Sequence, residues 1–457
     1  MLPLLSFAMF IVSLDQYIVV VALPDIGRDL GYSPQTLQAV ISAYAISSSG
    51  FLLLGGRASD LLGRRRILMA GLLLYGLASL AGGLATSTVQ QLAARAAQGL
   101  GGALVFPSTL ALINVLFSEG AARNRALGIW AGAGAGGLVV GVLLGGALTS
   151  SFGWRAVFIV NVPLAGAALV ASLALIVRDG PLDRSRPFDL PGAAAATASV
   201  TLIVLTLVRG PDVGWSSPST LGALLVGIAL ACAFVALERR SPDPVLPLAM
   251  LANRWLSLAA VSAVLFMATF GTLLYFLSLF FQGVLGYDAL EVGLAFLVPT
   301  VIVTGSSALA GRIATRFGLR NSMACALFVG AGGALMIGLA ARVDASYLGL
   351  LPGMIVVSIG DGVMFTAIFI AAAKGVPSHQ QGVASGIVST ASGVGAAVGL
   401  AVMVLIANRA SVGLVGEELR EARAAGIADA AFTIAAGIAL NLLIVLAWRI
   451  RPDGAHR

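Results

Sequence analysis

Three ionisable residues lie inside long apolar stretches of this 457-residue chain. Asp15, Arg95 and Asp361 each interrupt a run that otherwise carries almost no charge. A charged side chain at the centre of a bilayer costs about 2.5–3.5 kcal/mol on insertion scales, so a functional role is the default hypothesis for each of them. A carboxylate there can take up and release a proton, and a nearby cation changes how readily it does so. The three residues predict proton transfer or charge recognition inside a membrane.

A second charged pair lies in a short Arg-rich segment. Asp60 and Arg64 are four residues apart at a helix end, a spacing that supports an ion pair. A topology signal explains the three consecutive arginines 64–66, because loops that stay in the cytoplasm are enriched in Lys and Arg. It does not explain Asp60.

The elements that position these residues are predicted to be membrane-spanning helices. The chain is 59% hydrophobic and only 10% charged, with a mean hydropathy of +0.99, far from the values of a soluble domain. Crossing about 30 Å of hydrocarbon takes roughly 20 residues in a helix. The sequence therefore predicts an all-α polytopic membrane protein. Its fourteen predicted spans are residues 4–23, 37–56, 67–85, 89–116, 126–149, 156–177, 190–208, 220–237, 256–281, 290–309, 321–341, 347–373, 382–407 and 430–448.

The basic residues predict the orientation of these spans. With the N-terminus inside, the inner segments hold 19 of the 27 Lys and Arg residues, the outer segments hold seven, and Arg95 lies within a span. Both termini are then predicted to be cytoplasmic. The net charge is +7, but the basic residues are distributed over short loops according to the topology and form no patch. This distribution argues against a nucleic-acid partner.

The predicted spans place the three charges near mid-membrane. At 1.5 Å per residue, Arg95 and Asp15 lie about 9 and 12 Å from the outer ends of their spans, so they can pair or share a water. Asp15 is either a proton-coupling site tuned by Arg95 or part of a packing contact. Asp361, between Gly360 and Gly362, is a second protonation site, a counter-charge for a cationic substrate, or a structural polar contact.

An internal repeat predicts two homologous halves. Residues 56–65 and 311–320 share four of ten positions, all Gly or Arg. Short Gly/Arg turns on one membrane face could also recur by chance. We predict a six-helix half at residues 1–178, a linker with two extra spans at 179–255, and a second six-helix half at 256–457.

Several stretches resemble the major facilitator superfamily, in particular its fourteen-span drug:proton antiporter group. The resemblance extends over nearly the whole chain, although Gln16-Tyr17 and Val20 depart from the usual first-span residues. The matching stretches are Leu14-Asp15 through Val21-Ala22-Leu23-Pro24, residues 56–66, Arg95-Ala96-Ala97-Gln98-Gly99 with Gly101 and Gly102, Trp154-Arg155 with Phe158, Asn161-Val162-Pro163, Gln282-Gly283, and Gly382-Val383-Ala384-Ser385-Gly386.

The resemblance implies a major facilitator fold and proton-coupled export of drugs, antibiotics or lipophilic cations by alternating access. The predicted location is the bacterial inner membrane. The resemblance also implies a role in proton transfer for Arg95, which with Asp15 and Asp361 makes up the predicted proton-coupling residues, and it implies a conformational motif. That motif consists of Gly56, Asp60, Gly63, Arg64 and Arg65, together with Gly141, Gly145 and Gly146 of the fifth span. Val142 stands where the antiporter motif usually has proline, which weakens the inference of transport direction.

The ligand is expected to bind adaptable apolar walls, because greasy cations bind aromatic and flexible side chains with few polar contacts. Packing or contact with lipid is the alternative role for such residues. The candidates are Tyr44, Phe266, Met267, Phe270, Tyr275 and Phe276.

Other classes of function have little support in the sequence. The only histidines, His379 and His456, lack metal-ligand spacing, and there is no nucleophile elbow or nucleotide-binding loop. We therefore expect no enzyme activity, no cofactor and no metal, and a transporter that works as a monomer on small amphipathic or cationic substrates and protons. The open alternative is a dedicated exporter or importer of one metabolite or lipid.

Overall fold

The computed structural model describes residues 1–32, 37, 39–180, 189–214, 216–241, 244–409 and 414–448. Five arginines used in the topology argument lie outside these residues, namely Arg184, Arg186, Arg449, Arg451 and Arg457. All regular elements within the described ranges are helices. The first nine are α1 (Leu2–Leu30), α2 (Ala39–Leu62), α3 (Arg64–Gly83), α4 (Thr88–Leu116), α5 (Ala121–Phe152), α6 (Arg155–Ile159), α7 (Asn161–Leu175), α8 (Leu190–Val213) and α9 (Pro218–Glu238).

The second part of the chain begins with a short 3-10 helix, Leu248–Ala252, and has another at Ser378–Gln380. Its α-helices are α10 (Arg254–Gly283), α11 (Ala289–Ala295), α12 (Leu297–Phe317), α13 (Leu319–Ala340), α14 (Tyr347–Ala373), α15 (Gln381–Asn408) and α16 (Gly416–Ala447).

The helices confirm the predicted all-α polytopic class. Thirteen segments of the described chain are long and apolar enough to cross a bilayer. The remaining predicted span, the seventh, corresponds to α8, whose apolar stretch Pro191–Leu207 is shorter. The protein is therefore a multi-pass membrane protein.

Two of the predicted spans contain a break that hydropathy does not reveal. The sixth span is divided between α6 and α7, and the tenth between α11 and α12. Proline explains both breaks, because it has no backbone N–H to donate to the carbonyl four residues earlier. Pro163 cannot bond Ile159, the last residue of α6, and Pro299 cannot bond Ala295, the last residue of α11.

The last helix begins much earlier than predicted. The sequence predicts a span from residue 430, whereas α16 starts at Gly416. Its first turn carries Glu417 and Glu418, which favour a helix N-terminus through the helix dipole. Arg420 donates from Nε to the carbonyl of Val284 at 2.8 Å. The polar extension is thus fixed to a neighbouring loop, and hydropathy alone misses it.

The helices form two groups joined along two seams. Within the first group α1 packs on α5, and α4 packs on both α2 and α3; within the second, α10 packs on α15, and α14 on α12 and α13. Between the groups, α2 packs on α15 and α5 packs on α12. We call the end of the bundle with the α2–α3 loop the inner end, after the predicted topology, and the opposite end the outer end.

The hairpin of α8 and α9 lies along one of these seams. Helix α8 packs against both α2 and α15, so it contacts both groups. The contact with α2 is close, because a Cβ at Gly50 would lie 2.2 Å from Oγ1 of Thr201. Leu53, Ala193 and Val245 form an apolar cluster at this junction, with Ile387 of α15 packed against it. The extra pair of helices therefore covers the α2–α15 seam.

Candidate functional site

The centre of the first group holds a fully buried carboxylate with three donors. Asp15, on α1, is 0% exposed. Its Oδ2 accepts a hydrogen bond from Nη1 of Arg95 at 2.6 Å, which is also an ion pair. Its Oδ1 accepts from Nε2 of Gln98 and from Nδ2 of Asn161, both at 2.8 Å. Helices α1, α4 and α7 are joined by this one carboxylate.

Arg95 is held by contacts on all sides. Its Nε donates to the carbonyl of Val40 on α2 at 3.1 Å, and its Nη1 also donates to Oε1 of Gln98 at 2.7 Å. The guanidinium carbon lies 4.6 Å from the centroid of the Tyr44 ring, within cation–π range. Gln98 is anchored in turn by Ser79 on α3, whose Oγ lies 2.7 Å from Nε2. These contacts fix the position of the positive charge beside Asp15.

Glycines of α5 let α1 approach closely enough to present Asp15. A Cβ at Gly141 would lie 2.4 Å from the carbonyl oxygen of Leu14, and one at Gly145 would lie 2.8 Å from that of Ile18. Small residues permit such close helix packing in membranes. Gly146, predicted with them, has open space and takes no part in the contact. Val142 points elsewhere, towards Gly293 of α11.

The buried pair would be disturbed by protonation of Asp15. Removing one charge of a buried ion pair leaves the other uncompensated, at a cost of about 3–5 kcal/mol. Protonation of Asp15 would leave Arg95 in that position, buried with 1% exposure. The proton-bearing state is therefore expected to rearrange. The structure brings Asp15 and Arg95 together, and their role in coupling stays a prediction.

Asp361 lies in a different environment, where the two groups of helices face each other. Its glycine neighbours pack within the second group, since a Cβ at Gly360 would meet Ala326 of α13 and one at Gly362 would meet Ser306 of α12. Asp361 lies between them, half-buried, and Tyr17 of α1 is within electrostatic range. Asp361 has no hydrogen bond or ion pair within the described ranges. The structure does not bring Asp361 to the Asp15–Arg95 pair.

An aromatic cluster lies on the face of α14 that carries Asp361, one and two helical turns closer to the inner end. Phe365 and Phe369 follow Asp361 at intervals of four residues. The ring of Trp130, on α5, stacks 6.5 Å from Phe365 and meets Phe369 edge-on at 5.4 Å. Phe106 of α4 lies 5.8 Å from Phe369. These rings close the space between the two groups on the inner side of Asp361.

The predicted ligand-binding side chains are dispersed. Phe266 joins the aromatic cluster, 6.0 Å from Phe365, and Phe270 packs 5.1 Å behind it. Tyr44 belongs to the Arg95 network. Phe276 is buried beside Tyr275, which is 45% exposed, and Met267 is half-buried with its sulfur facing Gly271. Of the six residues, Phe266 is the one that packs against Phe365, on the face of α14 that carries Asp361. Ligand binding by any of the six stays a prediction.

The predicted conformational motif closes the inner end of the α2–α15 seam. Asp60 Oδ2 accepts a hydrogen bond from the backbone N–H of Val383 at 2.9 Å. Arg64 pairs with Oδ1 of Asp60 at 3.0 Å, and its other contact is the carbonyl of Ser378. A Cβ at Gly56 would lie 2.2 Å from the carbonyl oxygen of Gly382. The motif therefore joins the two groups directly.

The repeated motif closes the other seam in the same way. A Cβ at Gly311 of α12 would lie 2.0 Å from the carbonyl oxygen of Asn124 on α5. Nδ2 of Asn124 donates to Oγ1 of Thr315 at 3.1 Å. Gly56 and Gly311 hold equivalent places in the two repeats. The internal repeat in the sequence thus corresponds to two equivalent closures at the inner end.

The rest of the motif stabilises the turn between α2 and α3. Gly63 has φ of 101°, which favours glycine, and a Cβ there would lie 2.4 Å from the carboxylate of Asp179. That carboxylate accepts hydrogen bonds from the backbone N–H groups of Arg65 and Arg66 at 3.3 and 2.9 Å. Arg65 Nη2 donates to the carbonyl of Leu173 at 2.8 Å. Gly63 and Arg65 therefore act within the first group.

Sequence reasoning missed several members of the site. The sequence does not predict that Gln98 and Asn161 bind Asp15, or that Asp179 and Trp130 contribute. Spacing offers a signal for Gln98, because it lies three residues after Arg95 on one helical face. No local signal identifies the partner of Asp60, since Val383 is 323 residues away.

Comparison with protein families gives a match over most of the chain. The Major Facilitator Superfamily profile matches residues 5–400. The puromycin resistance protein of Streptomyces alboniger is 36% identical over 96% of this chain and 89% of its own length. The cephamycin export protein of Amycolatopsis lactamdurans is 34% identical over 98% of this chain and 93% of its own length. The lincomycin resistance protein of Streptomyces lincolnensis is 32% identical over 89% of this chain and 83% of its own.

Solved structures share the fold. A human organic anion transporter superposes with a TM-score of 0.71 at 16% identity, over 97% of this chain and 98% of its own. A proton:xylose symporter superposes with a TM-score of 0.68 at 15% identity, over 97% and 94%. At these identities the likeness concerns the fold. It confirms the predicted fold class.

Proposed function

The chain belongs to the major facilitator superfamily, and from this premise we propose that it is a proton-coupled exporter of drugs, antibiotics or lipophilic cations. The single observation that carries the proposal is the buried Asp15–Arg95 ion pair at 2.6 Å. A charge pair at this depth is costly to maintain without a function. Superfamily members are transporters and not enzymes, so the energy comes from an ion gradient, where one charge crossing 100 mV yields about 2.3 kcal/mol.

Alternating access supplies the transport cycle. The closures at Gly56–Gly382 and Gly311–Asn124 belong to a state in which the inner end is shut. Opening that end requires both seams to separate, together with the aromatic rings of Trp130 and Phe365. A proton that reaches Asp15 breaks its charge balance with Arg95 and favours the state that resets the carrier.

Substrate recognition is assigned to Asp361 and the aromatic cluster. The carboxylate faces the boundary between the groups and has no protein cation to neutralise it within the described residues. A lipophilic cation would supply that charge and stack on nearby rings such as Phe365 and Phe266. This role makes Asp361 a counter-charge and leaves coupling to Asp15.

The names of the relatives support the direction of transport. Proteins named for puromycin resistance and cephamycin export support outward transport, despite Val142 in the antiporter motif. We place the protein in a bacterial inner membrane as a monomer with both termini cytoplasmic. Its parts are two six-helix halves at residues 1–178 and 256–457, with the extra hairpin at 179–255.

A second candidate is a dedicated exporter of a single metabolite. The names of the relatives favour it, because puromycin, cephamycin and lincomycin are each one compound. A panel that yields transport of one compound, and none of unrelated cations, would select this candidate over a multidrug exporter.

The proposal is tested by ethidium efflux from proteoliposomes with internal pH recorded under an imposed proton gradient. Wild-type protein is compared with Asp15→Asn, and with Asp29→Asn as the control, because Asp29 is an exposed α1 carboxylate paired with Arg155 at the outer end. We expect coupled dye and proton movement in the wild type and control and none in Asp15→Asn. Full coupling in Asp15→Asn would exclude Asp15 as the coupling site, and no dye movement in any sample would favour the dedicated exporter.

A further inference from the structure

A third polar residue continues the Asp15-binding face of α4 towards the outer end. Gln91, Arg95 and Gln98 are spaced by four and three residues, so they lie on one face of the helix. Arg95 and Gln98 both bind Asp15. Gln91 is the fourth residue of α4, about 5 Å along the axis from its start at Thr88, and Arg95 is about 6 Å further. Gln91 therefore lies between the outer end and the ion pair.

The amide of Gln91 is buried and without a protein partner. The side chain is 0% exposed, and neither its oxygen nor its nitrogen has a hydrogen-bond partner in the described chain. Leu92, the next residue, packs into an apolar cluster with Val40 and Trp154. A buried amide without a partner is costly unless a buried water completes its hydrogen bonds. An apolar side chain would pack there without that cost.

A second free acceptor lies beside Asp15. Asn161 donates from Nδ2 to Asp15, while its Oδ1 is buried and has no hydrogen-bond partner in the described chain. A bound water needs two to four polar partners. The Gln91 amide, on the outer side of the ion pair, and the free Oδ1 of Asn161, beside Asp15, provide a donor and acceptors of this kind.

We propose that Gln91 holds a bound water that connects the outer end of the bundle to the Arg95–Asp15 pair, and that this water sets the rate at which Asp15 exchanges protons with the outer side. The inference rests on the proposed proton coupling and assigns its outer route. The ionisable groups along the route are Asp15 on α1, Tyr44 on α2, Tyr75 on α3 and Arg95 on α4. The Asp29–Arg155 ion pair lies at the outer end beyond them.

The test compares Gln91→Met with Gln90→Met. Methionine has nearly the length of glutamine but offers no comparable hydrogen bonds. Gln90 is an exposed neighbour on the same helix whose Oε1 accepts hydrogen bonds from Thr86, outside the Asp15 network, so its variant controls for the loss of an amide at this end of the helix. Two rates are measured in proteoliposomes: ethidium efflux driven by a proton gradient, and ethidium counterflow at equal pH, which needs no net proton movement. We expect Gln91→Met to slow the proton-driven rate several-fold and leave counterflow unchanged. Gln90→Met should alter neither rate.

Two results would overturn the inference. A Gln91→Met protein with unchanged proton-driven efflux and a raised melting temperature would show that Gln91 is an unpaired amide and nothing more. A high-resolution structure of the wild type without an ordered water within about 3.2 Å of the Gln91 amide would do the same, whatever the variant's folding. Absence of proton-driven efflux in the wild type would instead contradict the proposed function. The electron density of the wild-type structure would then decide whether the water is present.

Discussion

The carboxylate of Asp60, at the end of α2, accepts a 2.9 Å hydrogen bond from the backbone N–H of Val383, in the first turn of α15. The first N–H groups of a helix have no partner within it and carry partial positive charge. The N–H of Val383 and the guanidinium of Arg64 therefore favour the charged form of Asp60, while burial raises its pKa. The two halves of the transporter are joined at the inner end by a charge from one half and a helix N-terminus from the other.

Asp60→Asn is expected to weaken the closed inner end, because asparagine can accept the hydrogen bond but carries no charge. An anion at a partly buried helix N-terminus contributes about 1 kcal/mol, so the ratio of closed to open molecules should fall roughly fivefold. Electron spin resonance distances between labels at Leu62 and His379, both exposed, measure this ratio after the exposed Cys232 and Cys325 are replaced by Ser.

Asp429→Asn is the control for that experiment, since Asp429 pairs with Arg409 at 2.7 Å within the second group. Its distance distribution should match the wild type. An unchanged distribution in Asp60→Asn would show that the hydrogen bond to Val383 does not hold the inner end shut.

Gly311→Ala is expected to impair closure at the second seam. The new Cβ would lie 2.0 Å from the carbonyl oxygen of Asn124, a backbone atom that cannot move without displacing α5. Overpacking of this kind costs about 1–3 kcal/mol, which should lower both the melting temperature and the transport rate. Gly305→Ala on the same helix is the matched control, because a Cβ there meets nothing within 4 Å. Equal behaviour of the two variants would contradict the role of Gly311.

Hydropathy and charge position predict the spans and the depth of buried charges, but not which helix faces meet. Hydropathy predicts the thirteen segments that are long and apolar enough to cross a bilayer, and the depths calculated for Asp15 and Arg95 are similar, in agreement with their ion pair. Apolar content cannot show which face of a helix meets another helix, so it does not predict Gln98 and Asn161 as partners of Asp15. It also cannot detect the polar first turns of α16, which are held by Arg420 at a loop carbonyl.

Asp15→Asn and Arg95→Gln are each expected to destabilise the protein, by about 3–5 kcal/mol, because each leaves a buried charge alone. The double variant Asp15→Asn/Arg95→Gln should recover much of that loss, since both charges are removed together. Thermal unfolding in detergent measures stability, and proton-driven efflux measures coupling.

The three variants separate a coupling site from a packing contact. We expect coupling to be absent from all of them, including the stable double variant. Restored proton-driven efflux in the double variant would show that the pair serves packing and that protons use another site.

Asp361→Asn is expected to change substrate choice with little effect on stability. Asp361 is half-buried and has no ion pair within the described ranges, so its neutralisation leaves no cation unpaired, in contrast to Asp15. Export of a permanently charged dye should fall strongly, because the carboxylate that compensates the dye's charge is neutralised, while export of an uncharged antibiotic should persist. Parallel efflux assays of the two compounds measure the difference. Asp361→Glu is the control, since it keeps the charge and should retain dye export, and equal loss of both compounds in Asp361→Asn would instead assign Asp361 to proton transfer.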